Sequence, residues 1–147
     1  MSNDYGMNAD PADGGDAASY EGYVYVATNP AMPNLVKIGS TAKGDPQTRI
    51  SSLFTTSVPV PFELEYAAAI ADDPVKVERA LHKAFQPQRL HPKREFFEVE
   101  PFQVIAILKL LDVADITEEA KSEVEAEISQ EDRDARAKVR RRPILSF

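Results

Sequence analysis

Five side chains of this sequence have types and spacings that suit chemistry on a phosphate ester: Tyr25, Lys37, Arg49, Glu78 and His82. Hydrolysing a phosphodiester requires a water nucleophile, a group to take its proton, and positive charge to meet the negative charge that builds around phosphorus. A phenol or an imidazole can take the proton, an ammonium and a guanidinium can hold the phosphate, and a carboxylate can hold a hard cation. Mg2+ accepts one or two protein carboxylates and draws its other ligands from water and substrate phosphate, so one well-placed Glu is sufficient. Arginine matches phosphate oxygens with a two-pronged fork, where lysine offers a point charge. Each residue also has a plainer role open to it. Tyr25 suits a half-buried strand, Lys37 a protected sheet edge, Arg49 a stem laid over Phe54, and Glu78 with His82 a solvated helix pair.

The elements that must position these groups can be read from periodicity. Tyr23-Val24-Tyr25-Val26 and Leu35-Val36-Lys37-Ile38 read as short strands, separated by the turn formers Asn29-Pro30 and Pro33-Asn34. Alternation points Tyr25 away from Val24 and Val26, and Lys37 away from Val36 and Ile38, so an antiparallel hairpin places Tyr25 and Lys37 on one face. Asp45-Pro46 is a helix start, with Ile50, Leu53 and Phe54 as the apolar face and Arg49 at its edge. Val58 to Pro61 is an extended linker into a strand from Phe62 to about Ala69. Asp73-Pro74 opens a second helix with Val77, Ala80, Leu81, Ala84 and Phe85 on its core face. Glu78 and His82, four apart, share a flank of that helix, off the core face. A short strand around Phe96 to Val99 and a helix from Pro101 to about Leu111 follow. The last third reads as one polar helix from about Thr117 to Val139. Its narrow stripe of Ala120, Val124, Ile128, Ala135 and Val139 suits docking on the domain or pairing with a second copy as a homodimer.

Composition bounds these readings. A chain of 147 residues supports one domain with a real core. It has no cysteine, which removes disulfides, thiolate metal sites and a Cys nucleophile, and its two histidines cannot build a His-rich zinc cage. The longest apolar run, Val104 to Leu111, is broken by Lys109, far short of the roughly 18 residues a membrane span requires. Residues 1–21 carry five acids and no base and lack periodicity, which reads as a disordered acidic arm without an export signal; a cytoplasmic protein is expected. Residues 22–112 then form the domain, and 113–147 a polar helix with a basic and apolar tail. The domain balances ten acids with ten bases, so the net charge of −7 belongs to the flanks and argues against a wide basic footprint on DNA. The segment Arg133, Arg136, Lys138, Arg140, Arg141 and Arg142 is either a helix end favoured by its own dipole or a contact to a DNA backbone.

Taken together, Gly22-Tyr23-Val24-Tyr25-Val26, Val36-Lys37-Ile38-Gly39, Arg49, Glu78 and Arg94-Glu95-Phe96-Phe97 resemble the GIY-YIG endonuclease superfamily. The branch is the phage and bacterial one whose second motif reads lysine-isoleucine-glycine. The similarity runs from residue 22 to about 100. It implies an α/β (α+β) fold with a small three-stranded antiparallel sheet flanked by helices, here with an added C-terminal helix. It also implies Mg2+- or Mn2+-dependent cleavage of DNA. On that resemblance Tyr25 helps to deprotonate the attacking water, Arg49 holds the scissile phosphate and Glu78 binds the metal. Lys37 stands where many members have a second tyrosine. His82 is a second candidate base, and Glu95 is expected chiefly in a structural ion pair. The asparagine that many members place after the glutamate has no counterpart, since no Asn occurs beyond Asn34. Two other functions stay open: a DNA-binding module of the same fold without turnover, and an interaction protein acting through its C-terminal helix.

Overall fold

The alternating Val and Tyr residues after Gly22 build the centre of a sheet. In the computed structural model, which describes residues 22–42 and 58–142, β1 (Gly22–Thr28) lies between β2 (Val36–Ala42) and β3 (Glu63–Ile70), antiparallel to both. The acidic arm expected over 1–21, the helix expected from Asp45-Pro46 with Arg49 on it, and the closing Ile144-Leu145-Ser146-Phe147 stretch lie outside the described residues. Buried Asn29 holds the β1–β2 turn: its Oδ1 accepts from the Ala31 amide at 2.9 Å, and its Nδ2 donates to the Val60 carbonyl at 2.8 Å. Asn34 supplies the positive φ, 74°, that completes the turn, a conformation asparagine tolerates better than most residues.

Two more strands extend the sheet. β4 (Phe96–Phe97) pairs with β2 and β5 (Asp112–Asp115) with β3, giving the order β4-β2-β1-β3-β5. The mixed α+β class therefore holds, while the expected three-stranded sheet has five strands. β5 escapes a sequence reading because only Val113 and Ala114 stand between its two aspartates, too few for alternation to register. Its pairing is reinforced where the Tyr66 hydroxyl donates to the Asp112 carboxylate.

Among the described residues there are four α-helices. α1 (Pro74–Ala84) starts where Asp73 accepts from the Val75 amide at 3.0 Å, with Pro74 in the first turn, where its missing N–H costs nothing. α2 (Pro101–Leu111) starts where the Glu100 amide donates to the Gln103 side chain at 2.9 Å. Both cover the sheet face that carries Val24, Val26, Val36, Ile38, Tyr66 and Phe97, through Leu81, Val104 and Leu108. α1 turns Glu78 and Leu81 inward; Ala80 and Ala84, expected in the core, are exposed along a groove shared with Ile107 and Leu111. No helix among the described residues is long and apolar enough to cross a membrane.

The polar helix expected over 117–139 is two helices, α3 (Thr117–Ala126) and α4 (Gln130–Arg141). Ser129 makes the break: its Oγ accepts from the Asp132 amide at 3.1 Å, and Glu131 and Asp132 occupy the new first turn, where the helix dipole favours negative charge. α3 buries Ala120 and Val124 against the second sheet face, beside Tyr23, Tyr25 and Leu64, and Ile128 is buried at the corner. Ala120, Val124 and Ile128, from the stripe expected either to dock on the domain or to pair with a second copy, are thus used within the chain. α4 is fastened by buried Arg136, whose Nη2 donates to the Phe62 carbonyl at 3.0 Å while Nη1 and Nε lie 3.3 Å from Glu125 and 3.4 Å from Glu63. Arg140 also pairs with Glu63. Of the basic segment Arg136 therefore faces inward, while Arg140 is exposed but tied to Glu63. Removing one partner of a buried ion pair typically costs 3–5 kcal/mol, so Arg136→Met should lower the unfolding free energy by about 3 kcal/mol in a urea titration. Adding Glu63→Gln should recover part of that loss; costs that simply add would show that the two side chains are not coupled.

Candidate active site

β2 gathers the candidate residues. Among the described strands only β4 pairs with its outer edge, at Val36 and Lys37, and one further bond runs from the Ile38 amide to the Glu95 carbonyl at 3.1 Å. The register sets Tyr25 opposite Gly39 and Ala27 opposite Lys37, so Tyr25 and Lys37 do share a face. The Tyr25 ring lies across Gly39: a Cβ built there would stand 2.6 Å from both Cζ and Oη of the phenol. Glycine at this position is what lets the phenol lie over β2. Tyr25 is only 2% exposed.

The acid stands on the opposite face. Ser40 pairs with Val24 and so faces α1, where its hydroxyl donates to Glu78 Oε1. One turn along, His82 places Nε2 3.4 Å from Glu78 Oε2 and 3.0 Å from the Ile38 carbonyl oxygen. A bond to that carbonyl requires the proton on Nε2, which leaves Nδ1 as the acceptor of the neutral ring. The expected pairing of Glu78 with His82 is present. Its expected setting, off the core face of the helix, is not, because Glu78 is only 8% exposed.

Glu95 joins the two faces around the edge of β2. Lys37 Nζ donates to Glu95 Oε1 at 2.7 Å, and the carboxyl groups of Glu95 and Glu78 adjoin. Lys37, Ser40, Glu78, His82 and Glu95 thus form one network. Tyr25 approaches from the far face over Gly39, and Arg49 lies outside the described residues. The sequence reading left Ser40 unmentioned and gave Glu95 a structural part. The signal for Ser40 was the alternation Val36, Ile38, Ser40, which sets a hydroxyl on the face that meets the helix. For Glu95 it was an acid entering a short aromatic strand that pairs beside a lysine.

The two acids are pushed in opposite directions. Burial raises the Glu78 carboxyl above its ordinary 4.5, and the Glu95 charge adds to that, against the Ser40 hydrogen bond and the His82 charge. Burial would raise Glu95 too, but the hydrogen bond and charge of Lys37 outweigh it and bring Glu95 below its ordinary value. Glu78 therefore holds a proton more readily, and Glu95 holds the negative charge. Among the described residues no group of three or more His, Cys, Asp or Glu side chains is placed to hold a metal ion. A hard cation asking for one or two carboxylates makes a smaller demand. Glu78 and Glu95 offer it oxygen donors, and a divalent cation can replace the proton that burial favours on Glu78. Two carboxylates are a supply that Mg2+ or Mn2+ can accept.

The family model of the T5orf172 domain matches residues 22–112. The chain belongs to the T5orf172 domain family. This is a phage-associated domain related to nuclease-type domains. No curated protein and no solved structure matches the chain. The matched T5orf172 segment runs from the first residue of β1 to the first of β5, and it contains Tyr25, Gly39 and the whole network around Glu78. α3 and α4 lie beyond it.

The raised Glu78 carboxyl has a consequence for stability. With the folded value above the unfolded 4.5, the group contributes its full stability at low pH and loses it as pH rises through the folded value. Glu78→Gln, which keeps the shape and an acceptor for Ser40, should therefore be more stable than the natural chain at pH 8 in EDTA. The advantage should vanish below about pH 4.5, where both states of Glu78 are protonated. Denaturant titrations across that range check this; a variant less stable at pH 8 would contradict the assigned burial cost.

Proposed function

We propose that this T5orf172 domain is a metal-dependent DNA endonuclease of the GIY-YIG kind, hydrolysing phosphodiester bonds at the edge of β2. The observation that carries the reading is the convergence of Lys37, Ser40, Glu78, His82 and Glu95 on that edge, with the Tyr25 phenol laid over Gly39. Glu78 and Glu95 would hold Mg2+ or Mn2+, which supplies Lewis-acid stabilisation to the charge on phosphorus. The chain's own groups do the rest. Tyr25 Oη takes the proton of the attacking water. A free phenol has a pKa of about 10, so it needs help to act near neutrality, and the Lys37 ammonium on the same face favours its anion. Arg49, in the position the resemblance gives it, holds two oxygens of the scissile phosphate. His82 Nδ1 is a second proton acceptor, kept available because Nε2 is engaged with the Ile38 carbonyl.

A second reading, a DNA-binding module of the same fold without turnover, is favoured by one observation. Both oxygens of Glu78 already have partners, and the residue is buried. The third function, an interaction through the C-terminal helix, finds less support, since the stripe on α3 is used inside the chain.

Supercoiled plasmid incubated with the protein and Mg2+ or Mn2+ should become nicked or linear, and EDTA should stop it. Glu78→Gln should abolish cutting. Tyr25→Phe should lower the rate by roughly 10²–10⁴-fold, the usual contribution of a general base, and leave DNA affinity unchanged. Cutting that survives Glu78→Gln would refute the assignment, and a natural chain that binds DNA without cutting it in either metal would favour the second reading.

A further inference from the structure

Half of the cations of the described T5orf172 segment already have partners. Lys37 is held by Glu95 at 2.7 Å and Lys76 by Asp72 at 3.6 Å. Arg89 donates Nε to the Arg94 carbonyl at 2.7 Å and lies over the Phe97 ring, and Lys109 lies over the Tyr66 ring. Four remain: Arg79, Lys83, Lys93 and Arg94, all exposed and with no ion pair among the described residues. They fall in one stretch. Residues 76–94 hold six Lys and Arg against a single acid, in a chain of net charge −7. That acid is Glu78, which faces inward.

Their placement follows the site. Arg79 adjoins Glu78 and Arg94 adjoins Glu95 in the chain, so each acid of the network has a free arginine beside it. Lys83 is one turn beyond Arg79 on the exposed side of α1. The loop that carries Lys93 and Arg94 is pinned by backbone bonds, from the Arg94 amide to the His91 carbonyl at 3.0 Å and from the Leu90 amide to the Phe96 carbonyl at 3.0 Å. Its cations are therefore presented without a large ordering cost. The dipole at the end of α1 accounts for Lys83 by itself, but not for the loop pair. The basic end of α4 is the weaker rival: Arg136 and Arg140 are tied to Glu63, and Arg133 donates to the Glu125 carbonyl at 2.7 Å.

We propose that Arg79, Lys83, Lys93 and Arg94 form the track that holds the phosphate backbone of a DNA duplex and leads it to the edge of β2. Where the track leads rests on the nuclease reading; whether it binds does not. The test is fluorescence anisotropy of a labelled mixed-sequence duplex with the full chain in EDTA, titrated between roughly 50 and 200 mM salt. Each phosphate contact contributes about 0.9 to the slope of log affinity against log salt, so four contacts give a slope of roughly 3–4, about 10²-fold over that range. Replacing all four residues by glutamine should remove that part of the salt dependence. Replacing Lys138, Arg141 and Arg142 by glutamine should leave it in place. If the quadruple variant fails to fold by circular dichroism, Lys93→Gln with Arg94→Gln should remove about half of the slope. The track is overturned if the natural chain does not bind, or if the slope persists in the variants and is lost with the α4 changes. A natural chain that binds with this slope but never cuts leaves the track standing and removes the nuclease reading.

Discussion

A carboxyl group buried between a strand and a helix must find hydrogen bonds or a proton, and the way Glu78 meets that requirement fixes the rest of the site. Ser40 donates to one oxygen, His82 stands beside the other, and Glu95 leans on it from the edge of the sheet. These contacts set the rotation of α1 about its axis, because Glu78 and Leu81 can both face inward only in one orientation. They also set β2, since Ser40 must face α1, which sends Lys37 and Gly39 to the other side. Gly39 then leaves room for the Tyr25 ring. One buried acid thereby determines which groups can meet across the strand.

The two faces of the sheet divide the work. The α1 and α2 face carries most of the aliphatic core and the acid network. The opposite face carries the phenol, and there Ala120 and Val124 of α3 pack in the same cluster as Tyr23 and Tyr25. The part of the chain beyond the matched domain thus helps to exclude water around a proposed proton acceptor. α4 secures that cover by driving a buried arginine between Glu63 and Glu125. Arginine suits the position because its fork can meet a carbonyl and two carboxylates together.

Much of this was legible in the sequence. Val24 and Val26 against Tyr25, and Val36 and Ile38 against Lys37, gave the hairpin and its faces, and Asp73-Pro74 gave the start of α1. The i to i+4 spacing gave the Glu78–His82 pair. What stayed hidden depends on tertiary packing. Periodicity cannot distinguish an acid on a helix flank from one turned into a core, because the difference lies in Ser40, a residue with no chemical signature of its own. Ala80 and Ala84 fit an apolar stripe, yet no element among the described residues covers them. β5 is too short and too acidic to alternate visibly, and nothing in the periodicity of the polar stretch marks Ser129 as the cap of a new helix. Glu95 was hidden by the opposite difficulty: its neighbours Phe96 and Phe97 made a structural role look sufficient.

If Glu78 exchanges its proton for a divalent cation, calorimetry of Mn2+ binding will register both events. Titrations in two buffers of different ionisation enthalpy, at a pH where Glu78 still holds its proton, separate metal binding from proton release. Mn2+ should bind with net release of a proton, and Glu78→Gln should lose both the binding and the release while remaining folded. Mn2+ binding that Glu78→Gln leaves unchanged, or binding with no proton released, would contradict the exchange.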